Sequence, residues 1–315
     1  MNEFDLLHKV CRFSKNVPTL PMNMIIKKKI ISKTGIAAVV ALCGIWLALM
    51  ANSCRFEQKH APMILVSVQP QKELLKRIAG SRYEVHCMLG DESNPDNFEP
   101  NANNMMWLEG CVAYFAIGNI GYESAIMTRI DDVKNKVKVF DNTKGLKFID
   151  FRPVPDVCEK NPYVWVSAKN CKVIAKNMLD ALIEMNPKNA KYFTHRYNKL
   201  KGELDAVDNA LAATLDTCRG TAFVEALPKL AYFARDYKLR DMALLPGPDG
   251  NVTPDRAEAC RESGAKVFFV QQYTGDHKSA DYGTMLGLKT VSVNLVGESW
   301  LDGMQMTAKA IARNR

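Results

Sequence analysis

Four short stretches hold the side chains best suited to chemistry. "NPDNFEP" at 94–100 places Asp96, Asn97, Phe98 and Glu99 between Pro95 and Pro100. The two prolines restrict the backbone on either side, so the stretch reads as a stiff presenting loop. "NPYVWV" at 161–166 offers Tyr163 and Trp165, "VEALPK" at 224–229 offers Glu225, and "VNLVGES" at 293–299 offers Asn294. Asp96, Glu99 and Glu225, with Tyr163 and Asn294 lining the same space, would form an oxygen-donor set that favours Mn²⁺, Mg²⁺ or Ca²⁺ over Zn²⁺. Tyr163, Trp165 and the two-way hydrogen-bonding amide of Asn294 suit a small organic solute equally well. A third reading leaves the loops to protein contacts.

Each residue also has a plainer role. Glu99 fits an acceptor that steadies its own loop. Trp165 fits core packing. Glu225 fits a solvated strand position, with alternation placing it on the face of Leu227. His8, His60, His86, His195 and His277 all lie outside the four stretches. His86 and Cys87 are neighbours in a strand-like run and so face opposite sides. "PGPDGN" at 246–251 is a turn and not a phosphate loop, because no Gly-Lys-Ser/Thr follows. No Gly-x-Ser-x-Gly elbow, His-Glu-x-x-His helix or dinucleotide glycine fingerprint occurs, and a non-enzymatic protein is expected.

The elements that must position these loops alternate. "MILVSV", "YEVHCML", the end of "NNMMWLEGCVAYFAIG" and "KVKVF" read as strands, with "KELLKRIAG" and "NNMMWLEG" as helices between them. After a helix over 168–185, "NP" at 186–187 breaks and restarts the chain, with Asn186 as N-cap and Pro187 in the first turn. Ala190, Phe193, Tyr197, Leu200, Leu204, Val207, Leu211 and Leu215 then recur at helical steps, along a helix of roughly 40 Å. Alternation resumes with "TAFVEAL", "VFFVQQ" and "KTVSVN" as strands and "PKLAYFARDY", "TPDRAEACRES" and "WLDGMQMTAKAIAR" as helices. The expected fold class is α/β: two lobes with mostly parallel sheets joined by one long α-helix. The lobes fall at 62–186 and 216–315, with the bridge at 187–215. Ligands of open α/β sheets bind beyond the carboxyl ends of strands, which points to the loops at 94–100, 161–167, 225–230 and 294–299.

The N-terminus is a leader. Lys27, Lys28, Lys29 and Lys33 precede an uncharged run from Gly35 to Met50, then small residues and Cys54. That is the pattern of a secretory lipoprotein signal over 1–53, with Cys54 as the acylated residue. An exported, membrane-anchored protein follows. Seven basic and two acidic residues precede Cys54, so residues 54–315 carry +3 of the total +8. A charge that mild gives no argument for nucleic acid. Cys87, Cys111, Cys158, Cys171, Cys218 and Cys260 show no CxxC pair and sit largely in apolar segments, as buried small hydrophobes do.

Over roughly 62–312, the map and four motifs resemble the zinc and manganese binding proteins of bacterial ABC importers. "NPDNFEP" is similar to that family's Asp-Pro-His-x-Phe-Glu-Pro loop. "NPYVWVSAKN" is similar to its Asp-Pro-His-Val-Trp-Leu-Ser-Pro segment. "LPKLAYFARDYKL" is similar to its His-Pro-Ala-Phe-x-Tyr-Phe-Ala run, and "VNLVGESWLDGM" to its late strand and Leu-Asp-Pro-Leu-Gly. The resemblance implies a monomeric solute-binding lipoprotein that docks on a membrane permease, with Zn or Mn as transported solute and no catalytic cofactor. It also implies that the family's three histidines and one carboxylate fall on Asp96, Tyr163, Leu227 and Asn294. Leu227 cannot ligate, and Tyr163 would have to lose a proton from a phenol whose ordinary pKa is about 10. Glu99 and Glu225 are the possible substitutes.

Overall fold

The computed structural model describes residues 61–91, 93–132, 137–151, 160–272 and 279–315. The leader, Cys54, His60, Cys158 and His277 lie outside the described residues. Residues 60–315 form one compact unit.

The first sheet contains β1 (Met63–Val66), β2 (Glu84–Cys87), β3 (Ala113–Ala116) and β4 (Lys138–Asp141) in the order β2-β1-β3-β4. All its pairings are parallel, with Val66 opposite Cys87 on one side and Phe115 on the other. Its helices are α1 (Gln69–Ala79), α2 (Ala102–Gly110), α3 (Glu123–Asp132) and α4 (Ala168–Met185). Ile64, Leu65, Val66, Tyr114 and Phe115 are sealed from solvent, as expected where helices cover both faces of a parallel sheet. Helix α1 starts just after β1. Gln71 Oε1 accepts from Ser67 N at 3.0 Å and Val68 N at 3.2 Å, and Gln71 Nε2 donates to Phe115 O at 3.1 Å. One side chain thus caps the helix and clips it to β3. The helix ends at Gly80, whose φ of +56° suits glycine.

After α4, one tight turn at Pro187–Asn189 leads into α5 (Ala190–Leu215). Asn186 precedes the turn without a side-chain capping bond. Phe193, Leu200, Leu204, Leu211 and Leu215 are buried along α5. It packs against α4, α1 and the last helix, α9 (Trp300–Arg313). Lys172 of α4 binds Asp205 at 2.9 Å and Asp208 at 3.1 Å on α5.

The second sheet contains β5 (Ala222–Glu225), β6 (Arg240–Ala243), β7 (Val267–Gln271) and β8 (Lys289–Val293) in the order β6-β5-β7-β8, again all parallel. Its helices are α6 (Ala231–Tyr237), α7 (Pro254–Glu262), α8 (Ser279–Leu286) and α9. The two sheets share one strand order. In each, the first strand has a later strand on either side, which opens a crevice at the carboxyl ends. The expected α/β class with two lobes and a long connecting helix is the observed one. Three elements carry no pattern that the sequence reading used: α3, β6 and α8. Strand β6 ("RDMA") is an edge strand, and edge strands need no apolar run. Among the described residues, Cys87, Cys111, Cys171, Cys218 and Cys260 are buried free thiols, and no helix is long and apolar enough to cross a membrane.

Gly303 fixes how α9 meets the β8 loop. A Cβ there would stand 2.0 Å from the Asn294 carbonyl oxygen, so helix and loop touch backbone to backbone. Gly303→Ala is expected to cost about 1–3 kcal/mol through overpacking, read as a lowered urea midpoint at unchanged m-value.

Candidate solute site between the lobes

The 94–100 loop is tied down through Phe98 and through the helix cap that follows it. Phe98 packs edge-on against Tyr122, ring centroids 5.0 Å apart. Asn101 caps α2, accepting from Asn103 N at 2.9 Å and Asn104 N at 3.1 Å. Asn104 Oδ1 returns the bond from Asn101 N at 2.9 Å, and Asn104 Nδ2 donates to Met88 O at 3.0 Å. Ahead of these anchors, Asp96 N donates to Asn94 Oδ1 at 3.1 Å in a local turn.

Two groups meet that carboxylate. Tyr163 OH donates to Asp96 Oδ1 at 2.5 Å, and Lys229 Nζ lies 2.7 Å from Asp96 Oδ2. The same ammonium stands 5.2 Å from the centre of the Tyr163 ring. Tyr163 and Lys229 are buried, at 1% and 7% exposure. Asp96 follows β2 of the first lobe and Lys229 follows β5 of the second, so the ion pair joins the lobes. Lys229 was not singled out from the sequence. Its signal was its place two residues after Leu227, beyond the carboxyl end of a strand.

The other expected residues are engaged elsewhere. Strand β5 ends at Glu225, so strand alternation does not reach Leu227, which is half-buried. Glu225 does not lie on a solvated face: it is 2% exposed, and its Oε1 accepts from Leu230 N at 2.8 Å. Burial, and then the charge of Asp241, push its carboxyl well above the ordinary range. Asn294 Oδ1 accepts from Val296 N at 3.1 Å and Gly297 N at 2.8 Å, closing its own turn. Glu99 is exposed. Trp165 is sealed in the core, and its Nε1 donates to Leu295 O at 2.8 Å, a second bond between the lobes.

A buried carboxyl missed by the sequence reading secures the first crevice. Glu123 accepts from Ile117 N at 2.9 Å, Gly118 N at 2.8 Å and Tyr114 OH at 3.2 Å, and from the Ser67 hydroxyl. These bonds bind the ends of β1 and β3 together. Tyr122, which carries Phe98, donates to Ser67 O at 2.7 Å.

As a metal site this arrangement is poor. Among the described residues, no group of three or more His, Cys, Asp or Glu side chains stands where it could hold an ion. Zn²⁺ favours imidazole, thiolate and carboxylate in a tetrahedron. Here one carboxylate faces a phenol that donates to it and an ammonium that has no lone pair to give. His86 pairs with Glu84 at 2.7 Å, and its ring lies tilted 5.1 Å from that of Trp107, so it is engaged within the first lobe.

Two parallel α/β lobes on one long helix, with loops from both meeting beyond the strand ends, define a solute-binding fold. The chain belongs to the ZnuA family, the periplasmic zinc-uptake complex component A, whose sequence model matches residues 64–314. It is 25% identical over 179 residues to a putative metal-binding protein of Chlamydia trachomatis, which covers 55% of this chain and 61% of that protein. It is 22% identical over 299 residues to the zinc-binding lipoprotein AdcA of Streptococcus pneumoniae, covering 87% of this chain and 59% of that one. The matched stretches therefore span about three-fifths of these relatives' length. A crystal structure of ZnuA superposes with a TM-score of 0.72 at 21% identity, over 81% of this chain and 99% of that one.

The Glu225–Asp241 pair makes stability depend on pH. Burial lifts the Asp241 carboxyl from its ordinary 3.8 to about 7, and its hydrogen bond with Glu225 acts the other way. Between those values the folded chain keeps a proton that the unfolded chain has released. The stability from this proton is complete below the ordinary value and is lost as pH rises through the folded one. Asp241→Asn is expected to reduce that decline, measured as urea midpoints from about pH 4 to about pH 8.

Proposed function

We propose that this chain is the extracytoplasmic solute-binding lipoprotein of an ABC importer of the zinc and manganese class, with a degenerate metal site. The observation that carries the reading is the meeting of Asp96, Tyr163 and Lys229 between two lobes that the family match spans from end to end. On this reading the lobes at 62–186 and 216–315 hold the solute around the bridge at 187–215, and the chain works as a monomer. Acylated Cys54 anchors it to the membrane, where it docks on the permease. The family's four ligand positions fall on Asp96, Tyr163, Leu227 and Asn294, with Glu99 and Glu225 as neighbouring carboxyls. None is a histidine, which is why the site is degenerate. The role is binding and delivery, without catalysis.

A rigid bridge supports this mode of action. Helix α5 is continuous over its 26 residues and buries side chains along its whole length, so it makes a poor hinge. Solute exchange then relies on loop movement at the interface.

In-cell cross-linking of the tagged full-length chain, followed by mass spectrometry, is expected to recover an ABC permease subunit. Recovery of non-transport surface proteins alone would replace this reading with a scaffold for protein contacts. Metabolic labelling with a radioactive fatty acid should mark the wild-type chain and fail in Cys54→Ala.

A further inference from the structure

The Asp96 carboxylate is already neutralised by a cation that belongs to the chain. Lys229 Nζ takes one oxygen at 2.7 Å, and Tyr163 OH takes the other at 2.5 Å. The ammonium also lies against the Tyr163 ring, a contact that suits a cation. The lysine side chain is 9% exposed and the aspartate side chain 29%. The lysine is thus the buried partner, and the aspartate carboxylate is its ion-pair partner at the interface.

The loop carrying Lys229 is built to hold it there. Lys229 N donates to Leu227 O at 2.7 Å, which turns the chain sharply over Pro228. Asn161 Nδ2 donates to Pro228 O at 2.6 Å, while Asn161 Oδ1 accepts from Tyr163 N at 2.9 Å. Tyr232 OH, from α6, donates to Asn161 O at 2.8 Å. One asparagine therefore sets the positions of both the tyrosine and the lysine relative to Asp96. A divalent ion arriving at Asp96 would compete for the carboxylate with both of these contacts. It would stand a doubly charged cation beside a buried ammonium of the same sign and weaken the closest counter-charge that ammonium has.

We propose that Lys229 is the resident cation of the cleft: a tethered ammonium that stands where the divalent ion would stand, excludes Zn²⁺ and Mn²⁺ from Asp96, and joins the lobes without a metal. This rests on the reading that Asp96 occupies a family ligand position. Membership of an import assembly and capture of the ion then become separable properties. The specificity device is a side chain with the charge of a cargo and no donor atom.

The test is calorimetric titration of the purified full-length chain with ZnCl₂ and with MnCl₂, beside a double-mutant cycle on Asp96→Asn and Lys229→Met. Neither ion is expected to bind saturably below about 1 mM, and neither should raise the melting temperature. The double variant should unfold less readily than the two single variants together imply, by at least about fivefold in the unfolding constant. Lys229→Arg, which keeps the charge, should retain coupling to Asp96. Saturable micromolar binding that is lost in Asp96→Asn would overturn the inference and leave the import reading standing. Absence of coupling would also overturn it. If Lys229→Met does not fold, the wild-type titration decides alone. Failure to cross-link a permease would instead sink the import reading and leave the cycle intact.

Discussion

The structure depends on one apolar stripe. Phe193, Leu200, Leu204, Leu211 and Leu215 on α5 bury against α1 and α4 on one side and α9 on the other. Burying a side chain of this size is worth about 1.5–3 kcal/mol, so a few of them make detachment of either lobe costly. The helix therefore fixes the spacing of two crevices whose strands run in the same order. With that spacing set, a loop after β2 and a loop after β5 come close enough for direct hydrogen bonds. Trp165 to Leu295, Asn161 to Pro228 and Asp96 to Lys229 all follow from that spacing.

Within the interface, electrostatics ranks the bonds. An exposed ion pair contributes at most about 1 kcal/mol, whereas breaking a buried one costs about 3–5 kcal/mol. The Asp96–Lys229 pair falls between these limits, because the lysine is buried and the aspartate partly wet. Its larger effect is on what the cleft can accept. An ammonium offers three donors and no lone pair, so it neutralises the carboxylate without adding a ligand for a metal. The buried carboxyls nearby serve the scaffold. Glu123 ties strand ends together in the first lobe, and Glu225 holds the start of α6 in the second.

Much of this was legible in residue order. The alternation of strands and helices, the stripe on α5, the helix over 168–185 and the four loops all follow from periodicity and from Pro and Gly punctuation. The elements that escaped notice lack such patterns. Strand β6 reads "RDMA" because a sheet edge does not demand apolar residues on both faces. Glu225 looked equally suited to solvent or to a metal, because alternation specifies a face and not what covers it. Asn294 looked like a solute contact, and only its bonds to Val296 N and Gly297 N mark it as the lock of its own turn.

Sequence alone determined the α/β class, the bridge and the positions of the four loops, because these depend on local propensity and on the period of apolar residues. It also determined that no histidine lies in those loops. Tertiary structure alone decided what Asp96 binds. Lys229 is 133 residues away in the chain, in a run where a lysine before an apolar segment looks like ordinary surface charge. Pairing across such a separation depends on how two lobes pack on a third element, and Coulomb attraction acts through distance in space rather than along the chain.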